Sequence, residues 1–185
     1  MKNYVPTKEW MAYAIGALGQ GMVYAIMSSY ISDFYLNVLK LTPIFVLLLV
    51  LLARIWDAAI DPILGYYMDR ANPKHGKLKS YIIYTPIPIA VLTILLFYSP
   101  DLSGGALMAY CVITYLLWST VYSVSDVPFW SLPNLMTPNP DERGAIVSRA
   151  RTSNGVGSAI PMAFFMLLGF ILPGFGLSGT QLEET

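Results

Sequence analysis

The sequence has few charged residues. Of its 185 residues, 12% are Asp, Glu, Lys or Arg, which is about half of the roughly 25% found in typical soluble domains. The 11 basic residues are balanced by 11 acidic ones, so the chain has no basic surplus of the kind that attracts nucleic acid, and we expect no nucleic-acid partner. Because 56% of the residues are hydrophobic, the composition indicates a protein that lies in a lipid bilayer.

Cysteine is nearly absent as well. Cys111 is the single cysteine, so an internal disulfide is impossible, and its place in an apolar run gives no information about the redox compartment. The first residues, MKNYVPTKEW, have neither the apolar core nor the small-residue cleavage site of a signal peptide. We therefore expect the first hydrophobic segment to remain in the mature protein.

Long apolar stretches make up most of the chain. Five segments approach or exceed the roughly 20 residues that a helix needs to cross a bilayer. They cover about residues 10–35, 43–68, 81–98, 106–132 and 145–172. Pro86 and Pro88 interrupt the third segment, and Pro128 and Pro133 are expected to bend the fourth, which is longer than a bilayer requires. The sequence therefore predicts an all-α membrane protein, with residues 1–185 forming one incomplete helical bundle.

Basic residues fall mainly on one side of these segments. With the N-terminus inside the cell, the cytoplasmic loops and the helix ends beside them hold Lys2, Lys8, Arg70, Lys74, Lys77, Lys79, Arg143, Arg149 and Arg151. The other side holds Lys40. Because cytoplasmic loops are enriched in Lys and Arg, this asymmetry predicts a multi-pass protein of the cell membrane with a cytoplasmic N-terminus.

The second segment carries charged residues inside a stretch that is expected to cross the membrane. Arg54, Asp57 and Asp61 follow one another at spacings of three and four residues, so they share one face of a helix. Each charge costs about 2.5–3.5 kcal/mol at the bilayer centre on insertion scales. One interpretation is a structural ion pair between Arg54 and Asp57. That pair leaves Asp61, next to Pro62, without a partner, so we favour a functional site that faces protein or a watery cavity.

The fourth segment presents a second polar face. Tyr122, Asp126 and Trp130 are spaced by four residues, and Ser123 lies three residues before Asp126. An aromatic ring that stacks on a sugar, beside a carboxylate that accepts its hydroxyls, is typical of carbohydrate sites. The alternative is an aromatic belt at the membrane interface, which leaves Asp126 unexplained. For Trp118 on the same helix, both interpretations stay open.

Three blocks carry a resemblance to a known family. They are RIWDAAIDPILGYYMDR followed by HGKLKSY, then DVPFWSL, then PDERGAIVSRAR. In this order the blocks resemble the glycoside–pentoside–hexuronide:cation symporters, the melibiose-carrier family of the major facilitator superfamily. The resemblance implies twelve membrane helices in two six-helix halves. This chain would supply the first five helices, and the C-terminal half of the same transporter would be its missing partner.

The resemblance also implies roles for individual residues. Asp57 and Asp61 correspond to the carboxylates of the coupling-cation site, which would hold sodium if sodium is the coupling ion, and Ser123 corresponds to a hydroxyl ligand. The sugar-binding positions correspond to Asp126, Trp130 and Arg151, with Tyr122 nearby. The loop after the second helix, where charges help to close one conformation, corresponds to Gly65, Asp69 and Arg70. No cofactor is implied beyond the coupling cation.

Two positions depart from the melibiose carriers. Ile60 stands where those carriers have an asparagine, so an amide oxygen near the cation site is missing, and both sodium and a proton remain open as coupling ions. Gly21 stands where they have a sugar-binding aspartate on the first helix. Melibiose is therefore not the expected substrate. Another glycoside, a pentoside or a uronide fits as well, and Arg151 can pair with the carboxylate of a uronide.

Two other classes of function compete with transport. A CDP-alcohol phosphotransferase would use Asp57, Asp61, Gly65 and Asp69 as metal ligands, but the Asp-Gly pair of that enzyme motif does not occur here. We therefore expect no enzymatic activity. A membrane sugar sensor without transport activity, or a truncated relic, remains the alternative.

Overall fold

The computed structural model describes residues 5–70 and 78–174, and every regular element within these ranges is helical. The elements in chain order are α1 (Thr7–Asp33), a π-helical turn (Phe34–Val38), α2 (Pro43–Arg70), α3 (Lys79–Tyr84), α4 (Pro86–Leu96), α5 (Gly105–Ser131), α6 (Pro133–Met136) and α7 (Pro140–Gly174). The predicted all-α architecture is confirmed.

Three helical stretches of the described residues are long and apolar enough to cross a membrane. By length and composition these are Thr7–Val38, Pro43–Met68 and Gly105–Met136. They coincide with the first, second and fourth of the five predicted segments. The outer side of α2 is lined by large exposed apolar side chains: Ile44, Leu47, Leu48, Leu51 and Ile55. Exposed apolar side chains in such a row are what lipid requires of a spanning helix.

The third predicted segment is helical, with an interruption of one residue. The chain forms α3 up to Tyr84 and begins α4 at Pro86. Pro86 has no N–H to donate, and its ring crowds the carbonyl of the residue four positions earlier, so the first helix ends before it. The interruption is slight, because Thr85 keeps helical dihedral angles, and its main-chain N–H (3.1 Å) donates to the Tyr81 carbonyl as in an α-helix. The Thr85 hydroxyl donates to the same carbonyl at 2.8 Å.

The fifth segment begins earlier than predicted. Helix α7 starts at Pro140, because the Asn139 side chain accepts a hydrogen bond from the Asp141 N–H at 3.0 Å and thereby caps the helix. Proline at the first helical position, followed by two acidic residues, completes this N-terminal signal. The pattern Asn-Pro-Asp-Glu was present in the sequence and would have predicted this start.

The second segment ends later than predicted. Helix α2 continues to Arg70, so Gly65, Asp69 and Arg70 lie in its last turns and not in the loop that follows. Pro62 is tolerated inside the helix. The predicted basic loop itself, with Lys74 and Lys77, lies outside the described residues.

The chain divides into two compact units, Met1–Ser29 with Gly144–Thr185, and Tyr30–Arg143. In the first unit, α1 and α7 cross at very short distance. A Cβ added at Gly21 would overlap the main chain of Asn154, and one added at Gly157 would overlap the main chain of Leu18. Only glycine at both positions lets the two backbones approach this closely.

In the second unit, α5 is the central helix. It packs against α2, α3 and α4. The side chains buried around it include Tyr35, Leu49, Leu96, Cys111 and Trp118. Phe34 packs edge-on against Phe97 with 5.5 Å between ring centroids, which ties the π-helical turn to the end of α4. The polar faces predicted on the second and fourth segments therefore belong to neighbouring helices of one unit.

Candidate functional site

Helices α2 and α5 are joined by polar contacts. The Trp56 indole N–H donates to the Thr120 hydroxyl at 2.9 Å, and the Ser119 hydroxyl donates to one oxygen of the Asp57 carboxylate. Further along both helices, the charges of Asp61 and Asp126 interact. From the contacts of residues 56 and 57 with 119 and 120 to that of residue 61 with 126, the numbering rises on both helices, so α2 and α5 run in parallel. The predicted polar faces of α2 and α5 therefore lie against each other.

Asp57 is half-buried, and its partner Ser119 is 6% exposed. A hydroxyl that donates to a carboxylate makes a charge-assisted hydrogen bond, which is stronger than a bond between neutral groups. Sequence reasoning named Ser123 as the α5 hydroxyl and missed Ser119. The signal was available, because Ser119 lies four residues before Ser123 and seven before Asp126, on the same helical face.

Asp61 lies one turn beyond Asp57. Its Oδ1 atom is buried and has no hydrogen-bond partner among the described residues. A buried charged oxygen without a partner is costly, and the nearby carboxylate of Asp126 adds repulsion to that cost. A cation or a proton bound at Asp61 would remove both penalties.

Ser123 is buried on the same α5 face, at 9% exposure. Its position between Ser119 and Asp126 places it on the face where α5 meets α2. Within residues 5–70 and 78–174, no three carboxylate, imidazole or thiol groups converge on a metal position. A cation at Asp57 and Asp61 would therefore need hydroxyl or carbonyl oxygens to complete its ligand set.

Asp126 and Trp130 form a pair on one face of α5. The Trp130 indole N–H donates to Oδ1 of Asp126 at 3.1 Å. Trp130 also packs edge-on against Phe129, with ring centroids 5.5 Å apart and planes at 86°. Both Asp126 and Trp130 are half-buried. The structure therefore places an aromatic ring beside a carboxylate that accepts its N–H, and their role in sugar binding stays a prediction.

Trp118 belongs to the core. It is 2% exposed, and its indole N–H donates to the Thr93 hydroxyl of α4 at 2.8 Å. Tyr122 stacks on the Trp118 ring, with centroids 4.9 Å apart and planes at 10°. Trp118 is thus neither a ring of the sugar site nor part of an interface belt, but a packing residue between α4 and α5 that supports Tyr122. Tyr122 itself is half-buried.

Arg151 and Gly21 belong to the other unit, and Arg151 is exposed on α7. The main chain of Asn154 occupies the space that a side chain at position 21 would need. Two hydrogen bonds hold the crossing: Asn154 Nδ2 donates to the Ala17 carbonyl at 3.1 Å, and the Ser158 hydroxyl donates to the Gly21 carbonyl at 3.2 Å. There is no room at position 21 for an aspartate, which explains the departure from the melibiose carriers in physical terms.

The end of α2 carries the residues predicted for the cytoplasmic loop. The Arg70 guanidinium lies over the Tyr66 ring, 4.2 Å from its centroid, which is a cation–π contact within the last turn. Gly65 lies one turn earlier, with open space around its Cα. The backbone of Asp69 continues the helix, while its side chain is outside the described part.

A charged, partly buried face between two helices of membrane-spanning length is the arrangement expected at a functional site within a membrane. The family described as MFS/sugar transport protein matches residues 12–185. The chain belongs to this family.

Several relatives with known names are similar to the chain. The symporter YnaJ of Bacillus subtilis is 33% identical over 86% of the chain and 34% of its own length. The isoprimeverose transporter of Lactiplantibacillus pentosus is 30% identical over 86% of the chain and 33% of its own length. The glucuronide carrier protein homolog of Escherichia coli is 26% identical over 98% of the chain and 38% of its own length. The matched region therefore spans about a third of the length of these relatives.

Proposed function

We propose that the chain is the N-terminal part of a secondary transporter that couples the uptake of a sugar to a cation across the cell membrane. The observation that carries the proposal is the buried Asp61 oxygen, which has no hydrogen-bond partner within residues 5–70 and 78–174 and lies near the Asp126 carboxylate. An arrangement so costly to the fold is expected at a functional site within a membrane. The N-terminus is proposed to lie in the cytoplasm, on the charge asymmetry described above.

The proposed cation site consists of Asp57, Asp61 and Ser123. At the roughly 5–6 Å that separates residues one turn apart, two carboxylates repel by about 3 kcal/mol at an effective dielectric constant of about 20. A bound cation removes this repulsion. Sodium fits a set of carboxylate and hydroxyl oxygens, whereas a proton needs one carboxylate alone. With Ile60 offering no oxygen, family resemblance favours sodium over the proton by a small margin.

The proposed sugar site consists of Asp126 and Trp130, with Tyr122 at its side, and the family resemblance adds Arg151 as a further sugar-binding residue. The indole that donates to Asp126 fixes the carboxylate that would accept sugar hydroxyls. The named relatives are a transporter of isoprimeverose and a homolog of a glucuronide carrier. We propose a glycoside, pentoside or hexuronide as the substrate, and Arg151 would bind the carboxylate in the last case.

The two sites are coupled through Asp61 and Asp126. A cation that neutralises Asp61 also lowers the repulsion felt by Asp126, so cation binding should raise the affinity for sugar. By linkage, sugar must raise the affinity for the cation by the same factor. Gly65, Asp69 and Arg70 at the end of α2 are proposed to act in the conformational change. A second bundle facing this one would complete alternating access.

The proposal is tested with the longest natural form of the protein that contains these 185 residues, reconstituted in lipid vesicles. Sugar affinity is measured against sodium concentration at fixed pH, and then against pH without sodium. Symport requires that one of the two ions raise sugar affinity and drive accumulation. The proposal is wrong if sugar affinity is independent of both ions for glycosides, pentosides and hexuronides.

A further inference from the structure

The Ser119 hydroxyl contacts the proposed cation site at Asp57. Its side chain is 6% exposed, and it donates to Asp57 from the neighbouring helix. A carboxylate side chain that projects from a helix can rotate, and a hydrogen bond to one of its oxygens fixes the direction of the other. Residue 60, between the two aspartates, is isoleucine, so it offers no polar atom to do this. The Ser119 hydroxyl is the contact of Asp57 that can fix its orientation.

The hydrogen bond between Trp56 and Thr120 lies beside the bond between Ser119 and Asp57 and serves as a comparison. Thr120, the next residue of α5, accepts from the Trp56 indole at 2.9 Å. This bond joins the same two helices one residue away, but it is neutral, and Trp56 is 40% exposed. If the polar contacts served only to hold α2 against α5, the two bonds would have similar roles. Ser119 differs in acting on a carboxylate of the site.

We propose that Ser119 is a positioning residue of the cation site. Its hydroxyl holds one oxygen of Asp57 and thereby directs the second oxygen towards the space beside Asp61, where the coupling cation binds. The proposal rests on the proposed function, because it assigns a residue to the same site. In this proposal a residue of α5 orients the Asp57 carboxylate, where a polar side chain at position 60 of α2 is absent.

The test compares Ser119→Ala, Ser119→Thr and the control Thr120→Val in the longest natural form of the protein. The readout is the cation concentration that gives half of the full rise in sugar affinity, measured with sodium, with lithium and, in the absence of both, with protons by varying pH. Hydrogen bonds to charged groups are strong enough that Ser119→Ala should raise this concentration by about tenfold or more. Sugar affinity at saturating cation should change less than about twofold. Ser119→Thr, which keeps the hydroxyl, and Thr120→Val should both stay within about threefold of the parent.

The inference is overturned if Ser119→Ala leaves the cation dependence unchanged, if Ser119→Thr shifts it as far as alanine does, or if Thr120→Val shifts it equally. The last result would assign both bonds to helix packing. These failures are distinct from a failure of the proposed function, in which the parent protein itself shows no cation dependence. In that case there is no cation site for Ser119 to serve, and both proposals are wrong.

Discussion

The Cα of Gly21 on α1 lies against the main chain of Asn154 on α7, and a single added carbon at Gly21 would overlap the Asn154 carbonyl. The contact is reciprocal, because Gly157 meets the Leu18 carbonyl in the same way. Hydrogen bonds from the Asn154 and Ser158 side chains to main-chain carbonyls of α1 stabilise the crossing of the two helices. The two glycines thus fix how near α1 and α7 can approach.

Gly21→Ala and Gly157→Ala are therefore expected to destabilise the protein. The atoms that would be overlapped belong to the backbone and cannot rotate away, so the helices must separate. Overpacking of this kind costs about 1–3 kcal/mol, and backbone overlap places both variants near the upper end. Thermal unfolding of the purified protein in detergent measures the loss as a lower midpoint.

Gly19→Ala and Gly155→Ala are the matched controls, since an added carbon at either position meets nothing within 4 Å. Alanine favours a helix over glycine by up to about 1 kcal/mol, so these variants should be as stable as the parent or slightly more so. Equal midpoints for Gly21→Ala and Gly19→Ala would show that the crossing is not closely packed.

The two tryptophans of α5 are expected to respond differently to the same substitution. Trp118→Phe removes the N–H that binds Thr93 and leaves a small cavity in the core, so it should lower stability by about 1–3 kcal/mol with sugar affinity unchanged. Trp130→Phe removes the N–H that orients Asp126, so it should weaken sugar binding with little loss of stability. Unfolding midpoints and sugar-binding titrations of the two variants measure both effects. The assignment fails if Trp118→Phe is the variant that weakens sugar binding.

The sequence predicted the helical class, the family and a polar face on each of the second and fourth segments, because these follow from apolar length, ordered motifs and helical spacing. It did not predict that the two faces lie against each other. It did not predict the break before Pro86, since proline is tolerated in membrane helices when neighbours satisfy the freed carbonyls, and the sequence does not show those neighbours. It missed Ser119, although that residue shares a helical face with Ser123 and Asp126. It also left Trp118 undecided. Which face of a helix meets which neighbour is set by tertiary packing, and periodicity within one helix cannot reveal it.

Orientation in the membrane can be checked by cysteine labelling. Single cysteines at Lys74 and Ser103 should react with an impermeant reagent from opposite sides, with Lys74 reached from the cytoplasm, because basic residues gather on that side. Cys111 is fully buried and is replaced by alanine in the background so that it cannot contribute. Labelling of both positions from outside intact cells would contradict the proposed topology.

The two carboxylates that interact between α2 and α5 should have separable roles. Asp61→Asn keeps the shape of the side chain but removes the charge that binds the cation, so cation-driven accumulation should be lost. Because the same change also removes the repulsion that Asp61 exerts on Asp126, some energy-independent sugar binding or exchange should remain. Asp126→Asn should instead remove sugar binding itself, since an amide accepts hydrogen bonds from sugar hydroxyls less strongly than a carboxylate.

Accumulation against a sodium gradient, exchange without a gradient and equilibrium sugar binding separate these outcomes when the two variants are measured side by side. Each variant removes one negative charge from the same pair, so a shared loss of all three activities would indicate damage to the fold and not to one function. Thermal unfolding midpoints, expected to match the parent or exceed it because the repulsion is gone, check for such damage. If Asp61→Asn accumulates sugar normally, the pair is structural and the cation site lies elsewhere.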